Sequence, residues 1–411
     1  MRPYVHFHSD CQYFAGCENM LANFFCDERL AAAYDLSFSY RYSQEYEQGF
    51  RERVRSHLDI RPLRLKDEGQ LIRNVRHRLP WAAGFLQVAA RVLLLRYWFV
   101  LLNTITIYRM LGRRTPDIVH INNGNYPGAY SCMSAVFAAR LRGVRRIVYV
   151  VNNVAIPYST LRRRLDYPLD RLVAGMVLQF VTASRFAGAE LRKVLRLPEA
   201  KVANLHNGIA PRPATETRAE TLGRLGIGGT RLLVGVVAIL EERKGHIYLL
   251  DALRRIKGRG GRMPLIIIEG EGPQRGFLEN FVRVHRLGDD VRMIGRESRI
   301  FNLMNAMDVI VLPSVSHEDF PNVVLEAMCL GKPVIGTRIS GIPEQIVHME
   351  TGLIVEPADA EGLAQALQQL DAEPDLRARL GSNAQLRFAH EFTAEAAVGH
   401  YLGLYRQLLS H

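Results

Sequence analysis

From Pro116 to Thr337 short β-branched runs alternate with helical stretches, and this alternation restricts the fold more than any other feature of the chain. DIVHIN (117–122) and RIVYVV (146–151) read as strands buried in a parallel sheet, and the Ala- and Arg-rich 129–142 between them is long enough for a crossover helix. Strands follow at 180–183 and 201–205. Residues 206–230 then collect Pro211, Pro213 and a stretch rich in Thr, Glu and Gly, which marks a domain boundary. A second series begins beyond it, with strands at 232–238, 264–269, 291–294, 309–312 and 333–337 and helices at 246–257, 274–286, 299–306 and 322–330. The pattern predicts an α/β chain with a doubly wound parallel sheet in each half, divided at 1–210 and 211–389. Ligands of such sheets sit at the carboxyl ends of the strands.

The segment VIVLPSVSHEDFPNVVLEAMCLGKPVIGTRISGIP (309–343) carries most of the chemistry. A strand ends at Leu312-Pro313, a loop bears Glu318, and a helix opens at Pro321-Asn322, with Pro expected at the first helical position and Asn as cap. The helix stops at Gly331, before Lys332 and Pro333. Its first amides, around Asn322 to Val324, lack acceptors within the helix and suit a phosphate. Glu318 and Glu326 stand on either side of that turn, and carboxylates accept hydrogen bonds from sugar and ribose hydroxyls. For an isolated pair at this spacing, a loop Glu and a helix-surface Glu are the ordinary explanation. The longer pattern around this pair reverses that judgement.

EDFPNVVLEAMCLGKPVIGTRISGIPE resembles the signature of retaining glycosyltransferases of family 4, whose fold, GT-B, has two facing Rossmann-like domains with the active site in the cleft between them. KVANLHNGI (201–209), RKGH (243–246), GEGP (270–273), 291–295 and 305–314 support the resemblance, which is dense from about residue 180 onward. RFAHEFTAEAAVGHYLGLYRQLL resembles the closing helix of the family, implying that about 390–411 packs back on the first domain.

By position, the resemblance implies that Glu326 binds the donor ribose, that Glu318 meets a hydroxyl of the transferred sugar, and that Lys244 holds the donor phosphates. The family's usual Arg upstream of that Lys is missing from AILEE (238–242), so Arg243 is the nearest substitute. Phe320, Pro321, Asn322 and Val323 at the helix start, with Gly295 and Arg296, complete the donor set. Gly16, in FAGCE after the first strand, occupies the place of the family's Gly-rich loop. Asn152 and Asn153 stand where the family often has a His, and neither serves as a general base near neutral pH. His120, Asn122 and Asn123 line the acceptor side, with a buried structural role for His120 equally open. No cofactor or metal is expected, because Lys supplies a point charge for the leaving diphosphate. In retaining members the leaving phosphate oxygen is thought to help deprotonate the acceptor, so positioning and charge stabilisation carry most of the catalysis.

Charge is unevenly spread. Residues 1–210 carry 30 Lys+Arg against 16 Asp+Glu, whereas 211–411 carry 23 against 25, so the whole excess of +12 belongs to the first half. This points to an anionic partner there. Trp81 to Leu111 is apolar but cut by Arg91, Arg96 and Arg109, and its longest uncharged piece, 97–108, is too short to span a bilayer. Basic residues at 61–78 precede it. The stretch is either an interfacial helix with arginines snorkelling to lipid phosphates or a core helix whose arginines reach solvent. Five cysteines without a C-x-x-C pair fit a reduced compartment. The start shows no apolar run long enough for an export signal.

The expected function is transfer of a sugar from a nucleotide-diphosphate donor to a saccharide or lipid-linked acceptor, in cell-surface glycan or glycolipid synthesis, in the cytoplasm or on the inner face of the cytoplasmic membrane, with an anionic membrane surface as partner through 61–111. A catalytically inactive GT-B scaffold and a basic nucleic-acid-associated protein are the alternatives. The second lacks any recognisable motif of basic residues interleaved with aromatics, and no nucleic-acid partner is expected.

Overall fold

The computed structural model describes residues 2–11, 16–54, 58–78, 81, 95–112 and 114–410. The chain separates into two compact units, Met1–Leu205 with Val398–His411, and His206–Ala397.

Among the described residues the first unit holds a parallel sheet of seven strands: β1 (Tyr4–Ser9), β2 (Asp35–Arg41), β3 (Asp59–Leu63), β4 (Ile118–Asn123), β5 (Arg146–Val151), β6 (Gln179–Thr182) and β7 (Val202–Asn204). Their order is β3-β2-β1-β4-β5-β6-β7. Every residue of β1 and β4 is buried, as expected of central strands covered on both faces. The Ala-rich helix Tyr130–Leu141 covers one face because its small side chains allow close approach, and helix Leu95–Leu111 packs along it, burying Val100, Ile107 and Leu111. Arg96 fits neither expectation, snorkelling to lipid or reaching solvent. It is buried and pairs with Asp166 at 3.0 Å. Residues 82–94, including Arg91, lie outside the described residues.

The second unit holds a parallel sheet of six strands among its described residues: β8 (Leu233–Val237), β9 (Leu265–Glu269), β10 (Val291–Gly295), β11 (Val309–Leu312), β12 (Val334–Thr337) and β13 (Gly352–Val355), in the order β10-β9-β8-β11-β12-β13. Val234, Val236, Ile266, Ile268, Val309 and Val311 meet Leu249, Leu253 and Ile256 of helix His246–Gly258 in its core. Each such side chain contributes about 1.5–3 kcal/mol on burial.

The division of the chain falls five residues before the expected boundary. Ile209 donates its N–H to Phe392 O at 3.0 Å and accepts from Ala394 N at 2.9 Å, so residues 206–210 belong to the second unit. Gly208 permits this approach, since a Cβ there would collide with Thr393 O. The closing helix runs from Ala394 to Ser410, and its residues from Val398 onward belong to the first unit. There Tyr405 OH meets His120 Nδ1 at 2.6 Å, and Leu408 O accepts from Arg146 Nε at 2.6 Å.

Candidate active site

In the second sheet the strand order reverses between β8 and β11, and the loops leaving these two neighbours form a crevice at the carboxyl edge. Lys244 comes from the β8 loop, in a short 3-10 turn Glu242–Lys244, and Glu318 comes from the β11 loop. Their side chains form an ion pair, Lys244 Nζ to Glu318 Oε1. Arg243 Nη1 reaches the same oxygen at 3.4 Å, while its Nε binds Glu241 at 2.6 Å. Ser314 Oγ, fully buried, also donates to Glu318 Oε1 at 3.0 Å. The loops are stitched together by backbone as well. Val315 N donates to Arg243 O at 2.8 Å, and Gly245, at φ +67, lies so near Pro313 O that a Cβ would collide with it.

Helix Asn322–Cys329 follows Glu318. Pro321 is its N-cap and Asn322 its first residue, the reverse of the expected roles, and no side-chain cap bond is made. Pro321 adopts extended ψ, so the helical turn starts one residue later. Val324 N of the first turn donates to Pro321 O at 3.1 Å, and the positive end of the helix dipole at this turn favours an anion. Glu326 is the fifth helical residue and half-buried. Burial pushes its carboxyl up to about 6, with Arg212 opposing the rise and Glu269 adding to it. Glu269 ends β9, is itself raised by burial, and accepts from Glu297 N at 3.1 Å. Gly295, at φ +72, accepts from Gly270 N at 2.9 Å, and exposed Arg296 is close enough to Glu269 to offset part of its shift.

Phe320 is buried: its ring stacks on His206 at 4.9 Å and meets Phe392 edge-on at 5.6 Å. Pro321, Asn322 and Val323 stay partly exposed at the helix start.

In the first unit the order reverses between β1 and β4. Asn122, at the end of β4, accepts through Oδ1 from Asn152 Nδ2 at 2.8 Å, and its own Nδ2 lies 3.4 Å from both Ser9 Oγ and Glu18 Oε2. Among the described residues Asn152 Oδ1 is buried without a hydrogen-bond partner. Asn153 Oδ1 accepts from Val154 N at 2.7 Å and so supports its own turn. Asn123 does not line an acceptor site. Its Nδ2 donates to Pro127 O and Tyr149 OH and its Oδ1 accepts from Gly124 N and Ala129 N, which occupies the whole amide in holding that loop. His120 is likewise structural. It lies inside β4 against Phe7 and Phe24, and burial lowers its pKa to about 3, keeping it neutral. Gly16 opens helix Gly16–Cys26 rather than sitting in a loop, and residues 12–15 of the expected Gly-rich segment lie outside the described residues.

A family model for "Glycosyl transferases group 1" matches residues 217–387, and one for "Glycosyl transferase 4-like domain" matches 44–208, so the two account for most of both units. The chain belongs to the family-4 glycosyltransferases. Alpha-D-kanosaminyltransferase of Streptomyces kanamyceticus is 29% identical over 66% of this chain and 72% of its own length. N-acetyl-alpha-D-glucosaminyl L-malate synthase of Bacillus anthracis is 33% identical over 35% of this chain and 38% of its own length. The lipopolysaccharide core biosynthesis glycosyltransferase LpsE of Rhizobium meliloti is 34% identical over 40% and 46%. The chain thus spans less than half the length of the latter two. A glycosyltransferase from Rickettsia africae superposes with a TM-score of 0.78 at 18% identity, over 100% of this chain and 99% of that one. Anabaena HepE in complex with UDP superposes with a TM-score of 0.76 at 16% identity, over 98% and 100%. These likenesses establish the GT-B fold.

In this glycosyltransferase several site neighbours escaped the sequence reading. Ser314, Glu269 and Arg212 surround the two expected glutamates, and Glu269 was accessible as the last residue of a strand at the binding edge. Glu18, the last residue of FAGCE, is fully buried. It accepts from Ser9 Oγ at 2.8 Å and Tyr46 OH at 3.0 Å, and burial raises its pKa to about 7. His246, after RKGH's glycine, is buried with no partner for either ring nitrogen among the described residues, and burial beside Lys244 lowers its pKa to about 4.

Proposed function

We propose that this glycosyltransferase is a retaining, metal-independent enzyme that moves a sugar from a nucleotide-diphosphate donor to a saccharide or lipid-linked acceptor in cell-surface glycan or glycolipid synthesis. The observation that carries this reading is the meeting of Lys244, Arg243 and Glu318 across the strand reversal, beside the start of helix Asn322–Cys329 and a half-buried Glu326. Lys244 and the helix amides suit the diphosphate, Glu326 suits a ribose diol, and Glu318 suits a sugar hydroxyl. As the diphosphate leaves, Lys244 stabilises the charge that develops on it. Asn152, whose Oδ1 has no partner among the described residues, offers an acceptor to a further sugar hydroxyl. The UDP bound to Anabaena HepE supports a nucleotide donor.

Screening nucleotide sugars for thermal stabilisation tests the donor assignment, because a ligand confined to the folded state raises stability. For the donor so found, affinity should decline below pH 6. Glu326 must be ionised to accept two ribose hydrogen bonds, and its carboxyl titrates at about 6. Kd should therefore rise about tenfold per pH unit below that value. Glu326→Gln should flatten the profile and weaken binding about 10- to 100-fold, the loss of a charge-assisted hydrogen bond. A slope that persists in Glu326→Gln would assign the titration elsewhere.

An anionic membrane surface is the proposed second partner. No helix among the described residues is long and apolar enough to cross a membrane. Helix Leu95–Leu111 nevertheless exposes Trp98 (61%), Leu101 (52%), Leu102 (46%) and Ile105 (40%) on one stripe, opposite its buried face. Exposed Arg73, Arg76 and Arg78 lie on helix Glu68–Arg78, which packs against it. An apolar stripe beside basic side chains suits insertion into an anionic interface. Changing the three arginines to Gln should weaken binding to phosphatidylglycerol vesicles roughly 100-fold, at about 1 kcal/mol per charge near the surface, and leave donor affinity unchanged. Equal vesicle binding would remove the membrane from the scheme.

A further inference from the structure

The first unit carries an open groove of about 520 Å³, lined by none of the residues placed in the transfer site. Pro157 and Tyr158 of the loop after β5, Arg164 and Tyr167 of the two helices that follow, and Lys193 and Arg196 at the end of helix Arg185–Leu195 line it. The two tyrosine rings stand nearly perpendicular, 80° apart with centroids at 5.2 Å, and form a corner. Tyr158 is held in place from behind, its hydroxyl donating to Asp170 at 2.6 Å and its ring lying under Arg163 at 4.3 Å. The corner is therefore preorganised.

The cations around it are poorly compensated. Arg164 donates Nε to Tyr158 O at 3.2 Å, and neither it nor Arg196 has a carboxylate within ion-pair distance among the described residues. Lys193 has only Glu190, 3.6 Å away and one turn along the same exposed helix end. Arg196 caps that helix in the left-handed region, at φ 50, which carries its guanidinium to 5.8 Å from the Tyr167 ring.

We propose that this groove binds an anionic sugar, with the apolar face of the ring against Tyr158 and Tyr167 and its phosphate or carboxylate on Arg164, Lys193 and Arg196. A neutral saccharide would leave three cations unused, and a simple anion would leave the aromatic corner empty. A planar nucleobase would stack on one ring and leave the other unused, whereas rings at 80° fit a puckered ring with C–H groups on two sides. Arginine and lysine together suit both phosphate and carboxylate.

The test is 19F NMR of the full chain carrying 3-fluorotyrosine, with the Tyr167 signal assigned from Tyr167→Phe. Glucose 6-phosphate and glucuronate are titrated against glucose, inorganic phosphate and UMP, and the readout requires no donor or turnover. The expected result is a saturable shift at Tyr167 with at least one anionic sugar, whose Kd is tenfold or more below those of glucose, phosphate and UMP. Comparing glucose 6-phosphate with glucuronate tells whether the natural anion is a phosphate or a uronate. Arg196→Asn removes the charge with a residue that tolerates the left-handed backbone, and it should raise that Kd at least fivefold, as should Lys193→Gln. The proposal is overturned if phosphate alone or UMP binds as tightly as the anionic sugars, if no probe shifts Tyr167, or if both substitutions leave the Kd unchanged.

Discussion

Glu318→Gln should lower transfer about 100- to 1000-fold, the cost of losing one preorganised polar contact to the reacting group, while leaving diphosphate affinity unchanged or tighter. The second half of this expectation comes from the ion pair. Without ligand, Lys244 is engaged by Glu318, and Arg243 lies 3.4 Å from the same carboxylate oxygen. A diphosphate entering the crevice competes with that carboxylate for the cation. Neutralising Glu318 releases Lys244 to the phosphates, so binding gains what catalysis loses. Lys244→Met should behave differently, with diphosphate affinity and transfer falling together, since the same charge serves ground state and leaving group. Isothermal titration with the nucleoside diphosphate and initial rates with the identified donor and acceptor separate the two. If Glu318→Gln weakens the diphosphate as much as Lys244→Met does, the two side chains act as one binding unit and the competition is absent.

Arg163→Met should destabilise the first unit by about 3–5 kcal/mol, the usual consequence of leaving a buried charge without its partner. Asp170 is fully buried, forms an ion pair with Arg163, and accepts from Tyr158 OH at 2.6 Å. Burial already holds its carboxyl above the ordinary value despite those partners. Removing Arg163 raises it further. In that variant the folded state binds more protons than the unfolded state, so stability should improve as pH falls and worsen as it rises. The double replacement Arg163→Met/Asp170→Leu should recover most of the loss, because two apolar side chains remove both desolvated charges at once. Thermal unfolding should register the single variant as a drop on the order of 10 °C, at roughly 2–4 °C per kcal/mol for a unit of this size. A single variant within 2 °C of the parent would mean that the pair contributes little.

The second unit was largely legible before folding because its strands are short and mostly built of β-branched residues. Runs at 309–312 and 291–294 match β11 and β10 to within a residue, and the stop at Gly331 matches the end of helix Asn322–Cys329. β2, β3 and β13 were not read. β2 alternates Leu36, Phe38 and Tyr40 with Ser37 and Ser39, whose hydroxyls face His6 and His8 inside the unit, so half of the strand looks like a loop. β3 carries Pro62 and is mostly exposed at the sheet edge, where a missing N–H is tolerated. β13 has only four residues.

Local sequence determined the strand–helix order and the types of residue at the strand ends, since hydrophobic period and turn chemistry act over a few positions. It also placed Glu318 and Glu326 on a loop and on the helix after it. Only tertiary structure decided which side chains are spent. Lys244 and Glu318 are separated by 74 positions yet form an ion pair, Phe320 packs against His206 and Phe392, and the Asn123 amide is occupied by its own loop. The physical reason is that hydrogen-bonding and packing capacity is finite. Whether a polar or aromatic group remains available to a substrate depends on neighbours that the chain brings together from far apart, and no local pattern records them.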